Sequence, residues 1–368
     1  MSLVERGGLR AVLTFLMAAS AAAFGPLACA TLPEAGGGDK DLPNAGAGPF
    51  RALREGEVGN ARSAPRVLFD DDTFPRDPAV VDVDGDPATF DVLGYFAAAP
   101  EGSAPSAPTT SIVRYGALDG RSFDRSADVV LDSTEAWEGG ILGAPSALRF
   151  QGEIFLYYAA AGGIGVARSA DGLAFTREAA PVLGPDAGSW EQGAVPRSPG
   201  VALVWDGSLR MFYEVPGQGT AGSRIGEARS EDGVLWTRVG EGPALEPAAG
   251  AGAEDAFDGA SVGAPFPVAA LSSTGEQILR VYYSGAGQSG RSAIGLAARF
   301  GPDGPLERAL SPVFGAGSSL GAREPWVLTL DTFSFLFVTQ RTDTGEEDLA
   351  VAAGVAPATA ALPPPNPL

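Results

Sequence analysis

The sequence contains no histidine among its 368 residues. That absence removes imidazole acid–base catalysis and His-ligated zinc. A metal in this chain would need oxygen ligands. No cofactor is expected, and a central calcium or other oxygen-ligated ion is the one compatible exception. There is one cysteine, Cys29, so no intrachain disulfide can form. Positive charge is scarce: 25 Lys and Arg stand against 45 Asp and Glu, a formal net charge of −20. Such a surface disfavours nucleic acid and anionic lipid headgroups as partners. Long apolar runs are missing apart from one near the N-terminus, so no other stretch is long enough to span a bilayer.

Glycine and proline are abundant, 51 and 30 residues. Many short strands joined by tight turns need both, and a helical protein would not carry them. The organising stretch is Ile164 to Arg177, IGVARSADGLAFTR, which returns at Ile225 to Arg238 as IGEARSEDGVLWTR. Further copies start at Ile294 (IGLAARFGPDG), Ile112 and Leu349, so that the five starts lie 52, 61, 69 and 55 residues apart. A repeat this long is one supersecondary unit, and its length favours four-stranded blades over a short solenoid. Alternation over Ile164, Val166 and Arg168 reads as a strand. Ser169-Ala170-Asp171-Gly172 reads as a turn in which Ser and Asp bond nearby N–H groups and Gly supplies positive φ. Asp171 and Asp232 are therefore turn residues, and Phe175 and Trp236 pack over their hairpins. The expected fold is all-β, a five-bladed β-propeller of four-stranded antiparallel blades.

Blade openings repeat as well. Trp137-Glu138 precedes Pro145, Trp190-Glu191 precedes Pro199, and Phe257-Asp258 precedes Pro265. Blade one opens on Arg76-Asp77-Pro78 and closes with Ile112 to Phe123; blade five opens on Arg323-Glu324-Pro325-Trp326. The aromatic strands that follow, with Tyr157-Tyr158 and Tyr282-Tyr283, read as core. Residues 1–29 read as a secretory signal: Arg6 and Arg10 form a positive n-region, Ala11 to Phe24 an apolar h-region. Residues 30–65 read as a flexible tether, 66–355 as the propeller and 356–368 as a disordered tail.

Two resemblances follow from these residues. Gly25-Pro26-Leu27-Ala28-Cys29 resembles the processing site of bacterial lipoproteins, which implies lipidation at Cys29. It also implies an exported protein of the bacterial cell envelope that meets the membrane only through a lipid anchor. The five units, with their Asp-Pro strand, Tyr-Tyr strands and IG-A-S-DG-W hairpins, resemble the five-bladed propeller glycosidases. That group includes arabinanases, β-xylosidases, levansucrases, invertases and mannoside phosphorylases. The resemblance implies a carbohydrate ligand and two carboxyl groups at the inner strand ends, one to protonate the leaving oxygen and one to attack or activate water. It places Asp77 as base or nucleophile. The acid is Glu191 by blade position, or Glu324 because Arg-Glu-Pro mirrors Arg-Asp-Pro. Trp137, Trp190 and Trp326 are candidates to stack on sugar faces, with Glu138, Arg197 and Asp258 as further candidate substrate ligands. The same carboxylates are also candidates for turn capping or for pairing with Arg76, Arg197 and Arg323. Where arabinanases carry an aspartate after the blade-two proline, this chain has Ser146. Together with the missing histidine, Ser146 favours a second class of function, a catalytically inactive propeller that binds glycan or a protein partner.

Overall fold

The computed structural model describes residues 50–52, 68–69, 75–82, 92–104, 107–117, 122–123, 128–219, 221–250, 255–271, 276–315, 321–330, 333–341 and 347–355. Their strands build five four-stranded blades. Blade 1 contains Arg76–Asp82, Val92–Ala98, Ser111–Ala117 and Asp128–Asp132. Blade 2 contains Gly143–Phe150, Glu153–Ala160, Gly163–Ser169 and Thr176–Arg177. Blade 3 contains Arg197–Leu203, Leu209–Val215, Arg224–Ser230 and Thr237–Arg238. Blade 4 contains Ser261–Leu271, Gln277–Ala286, Ser292–Phe300 and Glu307–Arg308. Blade 5 contains Arg323–Leu330, Phe333–Arg341 and Glu347–Val355, and its fourth strand is Arg51–Ala52. All neighbours within a blade pair antiparallel. The first strand of each blade contacts the first strands of the blades on either side, and blade 5 meets blade 1, so the ring closes. The expected fold is the one observed.

Two boundaries differ from the sequence reading. Phe50 to Ala52 fell in the stretch read as a tether, yet Phe50 is buried and Arg51–Ala52 pairs with Ala352 and Ala353 to complete blade 5. Phe50 stands where Phe175 and Trp236 stand in blades 2 and 3. A closing strand of two residues carries too little periodicity to be seen in a linear reading. In blade 1 the fourth strand is Asp128–Asp132; Ser122–Phe123 instead forms a short parallel pair with Leu68–Phe69. Residues 1–29, with Cys29, and the tail 356–368 lie outside the described residues.

The hydrophobic core lies between blades, in three clusters of buried side chains. The repeat motif supplies the latch between neighbours. Ser169 Oγ and Asp171 Oδ1 accept the N–H groups of Gly172, Leu173 and Ala174 at 2.9 Å, the turn the sequence predicted. The Ala174 and Leu173 bonds hold the Asp171 carboxyl down at about 2. The turned-out Gly172 carbonyl then accepts the Tyr95 hydroxyl of blade 1 at 2.9 Å, and Gly233 accepts Tyr157 of blade 2 at 2.8 Å. Phe175 and Trp236 pack edge-on against those same tyrosines, with centroids 5.7 Å apart. The hairpin aromatics thus bind the preceding blade rather than only their own hairpin. Between blades 3 and 4 the backbones approach closely at Gly200, where a Cβ would lie 2.0 Å from the Pro265 carbonyl oxygen. Gly200→Ala is expected to destabilise the fold by about 1–3 kcal/mol, the cost of overpacking. Urea unfolding checks this, and an unchanged midpoint would show that the seam can relax.

Candidate active site

Each blade begins with a residue followed by proline: Asp77-Pro78, Ala144-Pro145, Ser198-Pro199, Ala264-Pro265 and Glu324-Pro325. The five residues before proline all have positive φ, at 55°, 44°, 48°, 42° and 56°. A residue before proline favours extended backbone, and the left-handed region costs an L-residue about 1–2 kcal/mol. In every blade the first two strands shift register at this point. These are bulges, and proline is tolerated there because it has no ladder N–H to lose. The five dipeptides line one axial depression, whose floor includes Phe266 and Trp326. Its free volume is about 320 Å³ with the open mouth included.

The strain has a structural use. The exposed N–H of the axial residue in one blade bonds back to the preceding blade. Ala144 N–H donates to Asp77 Oδ2 at 2.8 Å, Ala264 N–H to Glu214 Oε2 at 3.2 Å, and Glu324 N–H to Ser284 Oγ at 2.8 Å. Asp77 and Glu324 are the two carboxyl-bearing members of the axial five, and their blades are neighbours. Glu324 keeps a quarter of its side chain exposed, but Oε2 is shut from solvent and meets no donor among the described residues. Its carboxyl is raised well above the usual carboxylate range, first by burial and then by the charge of Asp77. The Arg323 guanidinium, 3.5 Å from Oε1, opposes this without overcoming it. The Asp77 charge and a side-chain hydrogen bond between the two carboxyls both favour the protonated form of Glu324.

Glu191 sits elsewhere. It is buried and accepts the Tyr213 hydroxyl at 2.7 Å, and its two oxygens take Arg238 Nε at 2.8 Å and Nη2 at 2.9 Å. Glu138 binds Tyr158 and Arg177 in the same way, and Asp258 binds Tyr283 and Arg308. Three blades thus carry one tyrosine–carboxylate–arginine clip that ties the loop before the blade to its second and fourth strands. The sequence reading offered Arg76, Arg197 and Arg323 as partners for these carboxylates; the partners are Arg177, Arg238 and Arg308. None of the three clip carboxylates lines the depression.

Of the aromatic candidates, Trp326 lines the depression but is 5% exposed, donates Nε1–H to the Val80 carbonyl at 2.7 Å and packs on Phe266. Trp137 stacks on Tyr158 with centroids 6.0 Å apart, so that face serves packing. Trp190 is half-buried, with the Arg224 guanidinium 5.3 Å above its ring. Arg197 stands beside Ser198 with half its side chain exposed and pairs with Glu214 Oε1 at 2.6 Å. Glu214 was missed by sequence reasoning. Its signal was its place directly after Phe212-Tyr213, where blade 2 has Ala159 and blade 4 has Ser284. Ser146 is fully buried, and its Oγ accepts the Val201 N–H of blade 3 at 3.2 Å. Among the described residues no three acidic side chains come together in a way that could hold a metal ion.

No family model and no curated protein matches the chain. Solved structures do. A structure of BT0996 in complex with RGII has a TM-score of 0.60 at 16% identity, over 88% of this protein and 96% of that one. A structure from the GH130 mannoside phosphorylase family, described as containing hydrolases that target β-1,2 mannosidic linkages in Candida mannan, gives 0.58 at 15%, over 88% and 98%. A thermostable family-43 glycoside hydrolase gives 0.58 at 17%, over 86% and 100%. The fold of this protein is that of the five-bladed propeller glycosidases.

Proposed function

We propose that the protein acts on an oligosaccharide or polysaccharide, with one sugar residue seated over the axial depression and the Asp77–Glu324 pair doing its acid–base chemistry. The observation that carries this is that Asp77 and Glu324 line the same axial depression, where burial and the Asp77 charge favour the protonated form of Glu324. A carboxylic acid that stays protonated toward neutral pH is what protonation of a glycosidic oxygen requires. Asp77, beside it, is the acceptor that takes a proton back. Glu214 pairs with Arg197 and accepts the N–H of the axial Ala264, which makes it a further carboxylate one hydrogen bond behind the lining of the depression. Arg197 offers the open edge of its guanidinium to sugar hydroxyls. That one similar structure is a complex with RGII supports a carbohydrate ligand.

A specific observation favours a second reading. Two carboxyls in hydrogen-bond contact are closer than the separations of about 5–5.5 Å or 6.5–9.5 Å that flank a scissile bond in retaining and inverting enzymes. With Ser146 committed to a backbone bond, the site then suits glycan binding without turnover. A screen of the purified protein against aryl furanosides, aryl pyranosides and plant oligosaccharides separates the two. Hydrolysis that falls at least about 10²-fold in Asp77→Asn supports the enzyme. The amide still accepts the Ala144 N–H, so the variant keeps its fold. Hydrolysis untouched by the substitution removes Asp77 from the chemistry, and binding without hydrolysis selects the second reading.

We also propose that the chain is exported and anchored through lipid on Cys29. The support is the charged n-region, the apolar run and the lone cysteine. Cys29→Ser is expected to move the protein from the membrane to the soluble fraction of fractionated cells. Equal partitioning of the two forms would contradict the anchor.

A further inference from the structure

Arg280, in the second strand of blade 4, is fully buried, yet its Nε, Nη1 and Nη2 have no hydrogen-bond partner among the described residues. Buried guanidinium groups stay charged, and an unpaired buried charge is among the costliest features a core can hold. Burial lowers the value of Arg280 from its ordinary one. The matching residue in blade 3 shows what is missing. Leu209-Arg210 pairs with Arg229 and Ser230 as Leu279-Arg280 pairs with Ala298 and Arg299. Arg210 is equally buried, but its Nη1 meets Glu227 Oε1 at 3.2 Å and its Nη2 meets Asp303 Oδ1 of the next blade at 2.9 Å. In blade 4 the place of Glu227, opposite the first aromatic of the second strand, is taken by Leu296. The carboxylate has gone and the guanidinium has stayed.

The position is defined by strand alternation. Arg280 shares a face with Tyr282, whose ring packs edge-on against Phe50 with centroids 5.9 Å apart. That face is the seam between blades 4 and 5, beside Phe50 and the strand Arg51–Ala52 that completes blade 5. We propose that Arg280 binds a small inorganic anion of halide size beside its guanidinium in this seam. A compact monovalent anion fits because Leu296 and Tyr282 beside Arg280 are buried and uncharged. The site is independent of the axial depression, so the glycan reading can fail without affecting it.

The test is thermal unfolding of the purified full chain at rising bromide or chloride, with ionic strength held constant by a bulky sulfonate. The wild-type midpoint is expected to rise by about 2–4 °C, the shift for a site going from empty to well occupied. Arg280→Met replaces the guanidinium with an apolar chain. It is expected to have a higher midpoint than wild type without halide, and no halide dependence. Equal shifts in both proteins, or none in either, would overturn the proposal. If Arg280→Met does not fold, crystals grown with bromide decide: an anomalous peak beside the guanidinium supports the site, and its absence there overturns it.

Discussion

Replacing Glu191 by alanine is expected to lower stability by about 3–5 kcal/mol, the cost of breaking one side of a buried ion pair. The substitution strands two groups at once. The Tyr213 hydroxyl loses its acceptor, and Arg238 loses both oxygens that receive its guanidinium. Burial, followed by the bond to Glu191, already holds the Tyr213 phenol well above its ordinary value, so the hydroxyl cannot escape by ionising. Glu191→Gln keeps an acceptor for Tyr213 and is expected to lose less. Glu138→Ala should behave like Glu191→Ala, because the clip in blade 2 has the same three parts. Chemical denaturation of the three variants measures this. A loss under about 1 kcal/mol for Glu191→Ala would mean that the clip contributes little, and would reopen Glu191 as a group kept for chemistry.

The second large effect is a pH dependence carried by Glu324. Its folded carboxyl is raised above the unfolded value, so the folded protein binds the proton more tightly. The stability this gives is complete below the unfolded value and is lost as pH rises through the folded one. The slope between them is at most about 1.4 kcal/mol per pH unit for one proton. Glu324→Gln is permanently neutral, and its amide can donate to Asp77 as the protonated acid does. The difference between wild type and Glu324→Gln isolates this group from the other carboxyls. Wild type is expected to lose stability relative to the variant with rising pH, leaving the variant the more stable protein at alkaline pH. Parallel stability curves would mean that Glu324 ionises like an ordinary surface glutamate.

The hairpin motif was legible because it rests on local chemistry. Ser169, Asp171 and Gly172 form their turn from neighbours in sequence, and the repeat of that turn set the blade count. Asp77 and Glu324 were legible as candidates because each stands between an arginine and a proline at a blade opening, but Glu191 competed with Glu324 for the partner's place. The contact of Asp77 with Glu324 was not legible, since blades 1 and 5 are far apart in sequence and meet only when the ring closes. Glu191 shows the opposite case. Its place before a blade opening suggested the axis, but the turn back into Pro199 leaves it outside, where Arg238 receives it. The recurring Arg177, Arg238 and Arg308 near the hairpin ends were the signal for that clip. Glu214 had no repeat to announce it, because the matching residues of the other blades are small or neutral: Ala97, Ala159, Ser284 and Thr339. The strand of Arg51–Ala52 escaped because two residues have no period.

One proton decides the chemistry of the axial pair, and infrared difference spectroscopy of the purified protein reads it directly. At neutral pH wild type is predicted to show the carbonyl band of a buried protonated carboxylic acid, which Glu324→Gln removes. In Asp77→Asn, with the neighbouring charge gone, the same band is predicted to titrate away at lower pH. A wild-type spectrum without that band at neutral pH would mean that Glu324 is ionised beside Asp77, and the axial pair could not supply the acid.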